Sequence, residues 1–109
     1  MANYLLIESR DPYEYADVGY FCNMAKDLAA NGNQVTLFLI QNGVMMARKT
    51  AVGAAQGLLD VGKVSVLADD FCLRERGIDK TTLLPGITVS SVDSLVDLLV
   101  KDGVKAVWH

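Results

Sequence analysis

Residues 28–43 read LAANGNQVTLFLIQNG, a helix end, a stop and a buried strand in direct succession. Leu28-Ala29-Ala30 closes an apolar pattern of helical spacing, and Asn31-Gly32-Asn33 supplies the residues that end helices. Val35-Thr36-Leu37-Phe38-Leu39-Ile40 is then rich in β-branched and aromatic side chains and almost unbroken in hydrophobicity. Such a run suits a strand covered on both faces, as in a parallel sheet, and Gln41-Asn42-Gly43 is its turn.

Reading outward gives the same alternation. Tyr4-Leu5-Leu6-Ile7 is a short buried strand feeding the polar segment Glu8-Ser9-Arg10-Asp11-Pro12. From Ala16 to Asn31 the apolar residues Val18, Phe21, Cys22, Ala25, Leu28 and Ala29 trace one helical face. A stripe of Met45, Val52, Ala55 and Leu59 predicts a second helix over Met45–Val61, followed after Gly62 by a strand over Val64–Ala68. Beyond Asp69-Asp70 come a short helical stretch to Gly77, the turn pair Pro85-Gly86, a brief strand over Ile87–Val89, a helix over Val92–Lys101, and a strand over Val104–Trp108. Five strands separated by four helical crossovers predict one domain over residues 1–109. Its expected form is a three-layer α/β/α sandwich of flavodoxin-like size with a mostly parallel sheet.

Composition narrows the function classes. The net charge of −3 and the scattered ten Lys and Arg argue against nucleic acid. The apolar runs are too short to span a membrane, and Met-Ala-Asn-Tyr lacks a basic leader, so a cytoplasmic location is expected. Hydrophobic residues reach 51% in a chain of 109, with a mean hydropathy of +0.26; some apolar surface is expected to face another subunit. Cys22 and Cys72 have no CxxC or Cys/His spacing, so neither a zinc site nor a disulfide framework is written here. The sequence lacks a P-loop, GxGxxG or GxSxG, and no cofactor is assigned.

In open parallel sheets the functional crevice lies beyond the carboxyl ends of the strands. That rule gathers Glu8, Arg10 and Asp11, then Gln41, Asn42 and Gly43, then Asp69, Asp70 and Cys72. Cys72 has Arg74 and Arg76 nearby in sequence to favour a thiolate, with Asp69 and Asp70 to oppose it. It is also the kind of small apolar residue that packs a short helix. Cys22, on the first helix's apolar stripe, reads as core. The carboxylates Glu8, Asp11, Asp69 and Asp70 have the oxygen chemistry of a hard-cation site, but acidic residues after strands are equally caps and solvated faces, and no metal is assigned. A phospho-acceptor receiver of similar size and sheet order would need a Lys just after the fifth strand, whereas Lys105 begins that strand. His109, the last residue of the sequence, is expected to be exposed and without a catalytic part.

The opening strand and loop, Leu28–Leu39, Gln41-Asn42-Gly43-Val44 and Arg76-Gly77-Ile78 together resemble the DsrE-like family of small sulfur-relay proteins of the DsrE, DsrF and TusD type. The resemblance covers nearly the whole chain. It implies a parallel α/β/α fold, assembly into trimers or hexamers, and a persulfide-carrying cysteine after the third strand. Alignment through Arg76-Gly77-Ile78 puts Asp69 at the usual cysteine position and Cys72 three residues on, about one helical turn away. The expectation is a sulfur-relay homo-oligomer that passes sulfur on Cys72 from a donor protein to an acceptor protein, without metal or organic cofactor. The alternative is a non-catalytic homologue acting as an oligomeric scaffold, regulator or small-ligand binder.

Overall fold

The computed structural model describes residues 1–51 and 54–109, and for Ala54 the backbone alone. Its strands are β1 (Asn3–Glu8), β2 (Gln34–Leu39), β3 (Val64–Asp69), β4 (Thr88–Ser90) and β5 (Val104–Trp108). The helices are α1 (Asp17–Ala30), α2 (Ala54–Val61), α3 (Asp70–Glu75) and α4 (Val92–Val100). The strands form one sheet in the order β4-β3-β2-β1-β5, and every pairing is parallel. β2 is central, as its two-sided hydrophobicity requires. The order differs from the 2-1-3-4-5 arrangement of flavodoxin and receiver domains, so the receiver comparison fails on topology.

This order dictates the layers. From β1 to β4 the chain steps each time to the next neighbour in one direction, so crossovers of one hand place α1, α2 and α3 on the same face. The step from β4 back past β1 to β5 carries α4 to the opposite face. Alternation along the strands then sorts the core. Leu6, Val35, Leu37, Leu39, Val66 and Ala68 pack with Val18, Phe21, Cys22, Ala25, Leu58 and Leu73 on the three-helix side. Leu5, Ile7 and Phe38 pack with Leu95 and the partly buried Leu98 of α4, and with Ile40, Leu67 and Val104. Each fully buried leucine here contributes roughly 2 kcal/mol.

The expected helix over Met45–Val61 is not one element. Gln41–Ala47 is a 3₁₀ helix, separate from α2 (Ala54–Val61), while Val52 lies outside the described residues. The cause is a pairing invisible in the local pattern. Arg48 makes an antiparallel bridge with Leu83, the Lys49 N–H donates to Thr82 O, and the Leu84 N–H donates to Ala47 O. Backbone groups spent on that pairing cannot close helical turns.

Among the described residues no helix is long and apolar enough to cross a membrane.

Candidate functional site

The carboxyl ends of the strands carry two separate clusters, and Cys72 belongs to the one beyond β2 and β3. Asp69, the last residue of β3, caps α3: its Oδ2 accepts the Cys72 N–H at 3.0 Å. This cap fixes Cys72 on the first turn of α3, where the residue is 8% exposed. A pocket of about 350 Å³ opens beside it, walled by Ile40, Phe71, Val92 and Leu95, with Gln41, Asp69 and Glu75 as the polar lining. Asp69 and Cys72 therefore face the same space.

The segment after β2 closes over the sulfur. Gln41 has φ +49°, a left-handed conformation that costs a non-glycine residue roughly 1 kcal/mol. In that conformation its N–H donates to Cys72 Sγ at 3.1 Å. Gly43 lies so close to β1 that a Cβ there would sit 2.1 Å from Glu8 O. Arg76 holds the exposed neighbour: its Nε and Nη2 donate to Asn42 Oδ1 at 3.1 and 3.0 Å, and its Nη1 donates to Cys72 O at 3.2 Å.

The thiol's ionisation is pulled both ways. Burial pushes it up first, and the Asp69 carboxylate adds to that; the Gln41 N–H and, more weakly, the Arg76 charge pull it down, leaving it raised. Cys22 is fully buried in α1 and is pushed up to about 12 by burial and the Glu8 charge. It is a core residue, as its place on the helical stripe predicts.

The other expected crevice residues have different employment. Asp70 pairs with Arg74 at 3.2 Å and Lys80 at 3.8 Å, and Arg74 lies over the Phe71 ring. Of the four charged residues expected to set the field at Cys72, only Asp69 and Arg76 act on it. Asp11 Oδ1 accepts the N–H groups of Tyr13 and Glu14, capping the loop before α1. Glu8, Asp11, Asp69 and Asp70 thus serve separate local partners and do not converge.

The second cluster lies where β1 and β5 end side by side, and it corrects the expectation for His109. The side chain of His109 is 20% exposed. Its Nδ1 donates to Glu8 Oε1 and Oε2 at 3.0 and 2.9 Å, and its Nε2 donates to Asp17 Oδ2 at 2.9 Å. Its ring stacks on Phe21 at 5.1 Å between centroids, and Arg10 stands 3.8 Å from Asp17. Carboxylates on both ring nitrogens favour the doubly protonated imidazolium, and they hold the His109 pKa above its ordinary value. Glu8 is fully buried, which is the reason the site needs a cation: an unpaired carboxylate in that position is too costly. The sequence carries one clue to this, a glutamate attached directly to a buried apolar strand.

A five-stranded parallel sheet with helices on both faces places the molecule among small α/β proteins. This chain belongs to the DsrE/DsrF-like family, whose family model matches residues 2–107. Among solved structures it is similar to the crystal structure of the ychN protein from E. coli, at 21% identity and a TM-score of 0.81, covering 98% of this chain and 100% of that one. It is also similar to MTH1491 from Methanobacterium thermoautotrophicum, described as a protein of unknown function, at 19% identity and a TM-score of 0.79, covering 98% and 99%. At these identities the likeness is one of fold. No curated protein matches the chain by sequence.

Proposed function

We propose that the chain is a sulfur-relay protein that carries a persulfide on Cys72 between a donor and an acceptor protein, and that it works as a homo-oligomer. The observation that carries this reading is the Cys72 sulfur at the pocket wall, accepting the Gln41 N–H at 3.1 Å. The same N–H that holds a thiolate in place also orients it for attack. In the proposed cycle the Cys72 thiolate attacks the outer sulfur of a donor persulfide, and the donor thiolate leaves with the electron pair of the broken S–S bond. An acceptor thiolate then takes the terminal sulfur, and Cys72 leaves as a thiolate. The two exchanges balance with no net oxidation and no cofactor.

Intact-mass analysis after treatment with polysulfide, or with a desulfurase and cysteine, tests the relay. Wild type and Cys22→Ser are expected to gain sulfur, and Cys72→Ser to gain none. The second reading, a non-catalytic homologue that keeps the pocket for a small ligand, is favoured by the raised thiol beside Asp69. Wild-type protein that takes up no sulfur under both treatments would decide for it.

Assembly is supported by the lightly covered face of the sheet. Val92, Val96, Leu99 and Val100 of α4 are 59%, 50%, 44% and 73% exposed, and Trp108 of β5 is 70% exposed. Apolar side chains at this density on a short helix are the surface that oligomers cover.

A further inference from the structure

Arg76 is expected from sequence alone to act on Cys72 by its charge. The geometry points to a different role, and we infer that Arg76 and Asn42 form a positioning pair that keeps the Gln41 N–H aimed at the Cys72 sulfur. The inference rests on the reading of Cys72 as the working thiol.

Three observations meet at this point. Gln41 is held in a left-handed conformation, which a free chain end of a strand would relax. Its neighbour Asn42 is exposed, yet its carboxamide oxygen receives two donors from one guanidinium. The third arm of that guanidinium is bonded to the carbonyl of Cys72 itself. Arg76 thus ties the donor's loop and the acceptor's helix into one unit, while Gly43 seats the loop against Glu8 O from the other side. A planar fork with fixed donor directions can do this, and a point charge on a flexible stem cannot.

The charges around the sulfur are few. Asp69 comes from β3, Glu75 from α3 and Arg76 from its C-cap; the 3₁₀ helix contributes the uncharged Gln41 and Asn42, and α4 contributes Val92 and Leu95. Of the groups favouring the thiolate, the Gln41 N–H acts more strongly than the Arg76 charge. A device that aims the N–H therefore has more leverage than one that merely brings a cation near.

The test is the pH profile of Cys72 alkylation by iodoacetamide in the native full-length protein, read by peptide mass spectrometry so that Cys22 is scored separately. Asn42→Ala removes the clamp and keeps the Arg76 charge; because Asn42 is exposed, its truncation leaves the core intact. The positioning role predicts that Asn42→Ala and Arg76→Lys both move the profile upward by about one pH unit, roughly tenfold slower alkylation below the midpoint. It also predicts that Asn42→Ala/Arg76→Lys is no slower than either single variant, as for two residues acting as a unit. A wild-type profile in Asn42→Ala, or a Cys72 inert at every pH in folded wild type, overturns the inference. Wild-type protein that shows the profile but accepts no sulfur overturns the relay and leaves the positioning pair standing. Sulfur uptake with an unmoved Asn42→Ala profile does the reverse.

Discussion

Gly43 and His109 show how much a single residue at the strand ends controls. A methyl group on Gly43 would collide with the carbonyl oxygen of Glu8 at 2.1 Å, and both partners are backbone with no rotamer to yield. Gly43→Ala is expected to cost about 3 kcal/mol, read as a lower denaturant midpoint. His109 sets a pH dependence. Burial pulls its pKa down, but the bonds to Asp17 and Glu8 outweigh that and leave it above the ordinary 6.5. Glu8 is also raised from 4.5, first by burial. Both groups therefore hold protons more tightly folded than unfolded. The His109 contribution is complete below pH 6.5 and is lost as pH rises through its raised folded value. Asp17 is lowered by its bond to His109, so its own contribution fades only at the acid end, below 3.8. Thermal melts across neutral to alkaline pH are expected to show the wild-type midpoint falling with pH. In His109→Gln that slope should flatten, and the midpoint on the plateau below pH 6.5 should be lower than that of wild type.

At the scale of elements, the sequence announced the strands and most helices because their signals are local. β5 falls where its run Val104–Trp108 lies, and α1 follows the stripe from Val18 to Ala29. The first part of the helix expected over Met45–Val61 does not form, because Arg48 and Leu83 pair across a gap that no periodicity reports. Sheet order is likewise silent in the sequence: apolar runs say that strands exist, and only the crossovers decide which edges meet. The site was half legible. Cys72, Asp69 and Asn42 follow from the rule that loops after parallel strands gather chemistry. The Gln41 N–H and the three-way grip of Arg76 depend on backbone angles and side-chain directions, which spacing does not encode. Asp70 and Arg74 stand near Cys72 in sequence, yet their i, i+4 pairing on α3, joined by Lys80, engages their charges away from the sulfur.

For the whole molecule, three helices cover one face of the sheet and one covers the other, and α4 with Trp108 leaves an apolar flank open on that thinner side. If this flank is the contact between copies, Val96→Glu should reduce the mass seen by light scattering to that of one chain. Its circular dichroism should stay unchanged, since Val96 is half exposed. In wild type the single tryptophan should then emit at shorter wavelength than in the variant; equal masses for the two proteins would remove α4 from the interface. The sheet order has a further consequence for the order of events on the ribosome. β1 to β4 can pair in the sequence in which they emerge, each with the strand made just before it. β5 is the exception, because its partner is β1, and Glu8 and His109 stand 101 residues apart. Throughout synthesis of the intervening chain, β1 presents an unpaired edge, with a buried-site glutamate still in water at its tip. A charge at the tip of an open edge is a feature that disfavours edge-to-edge pairing.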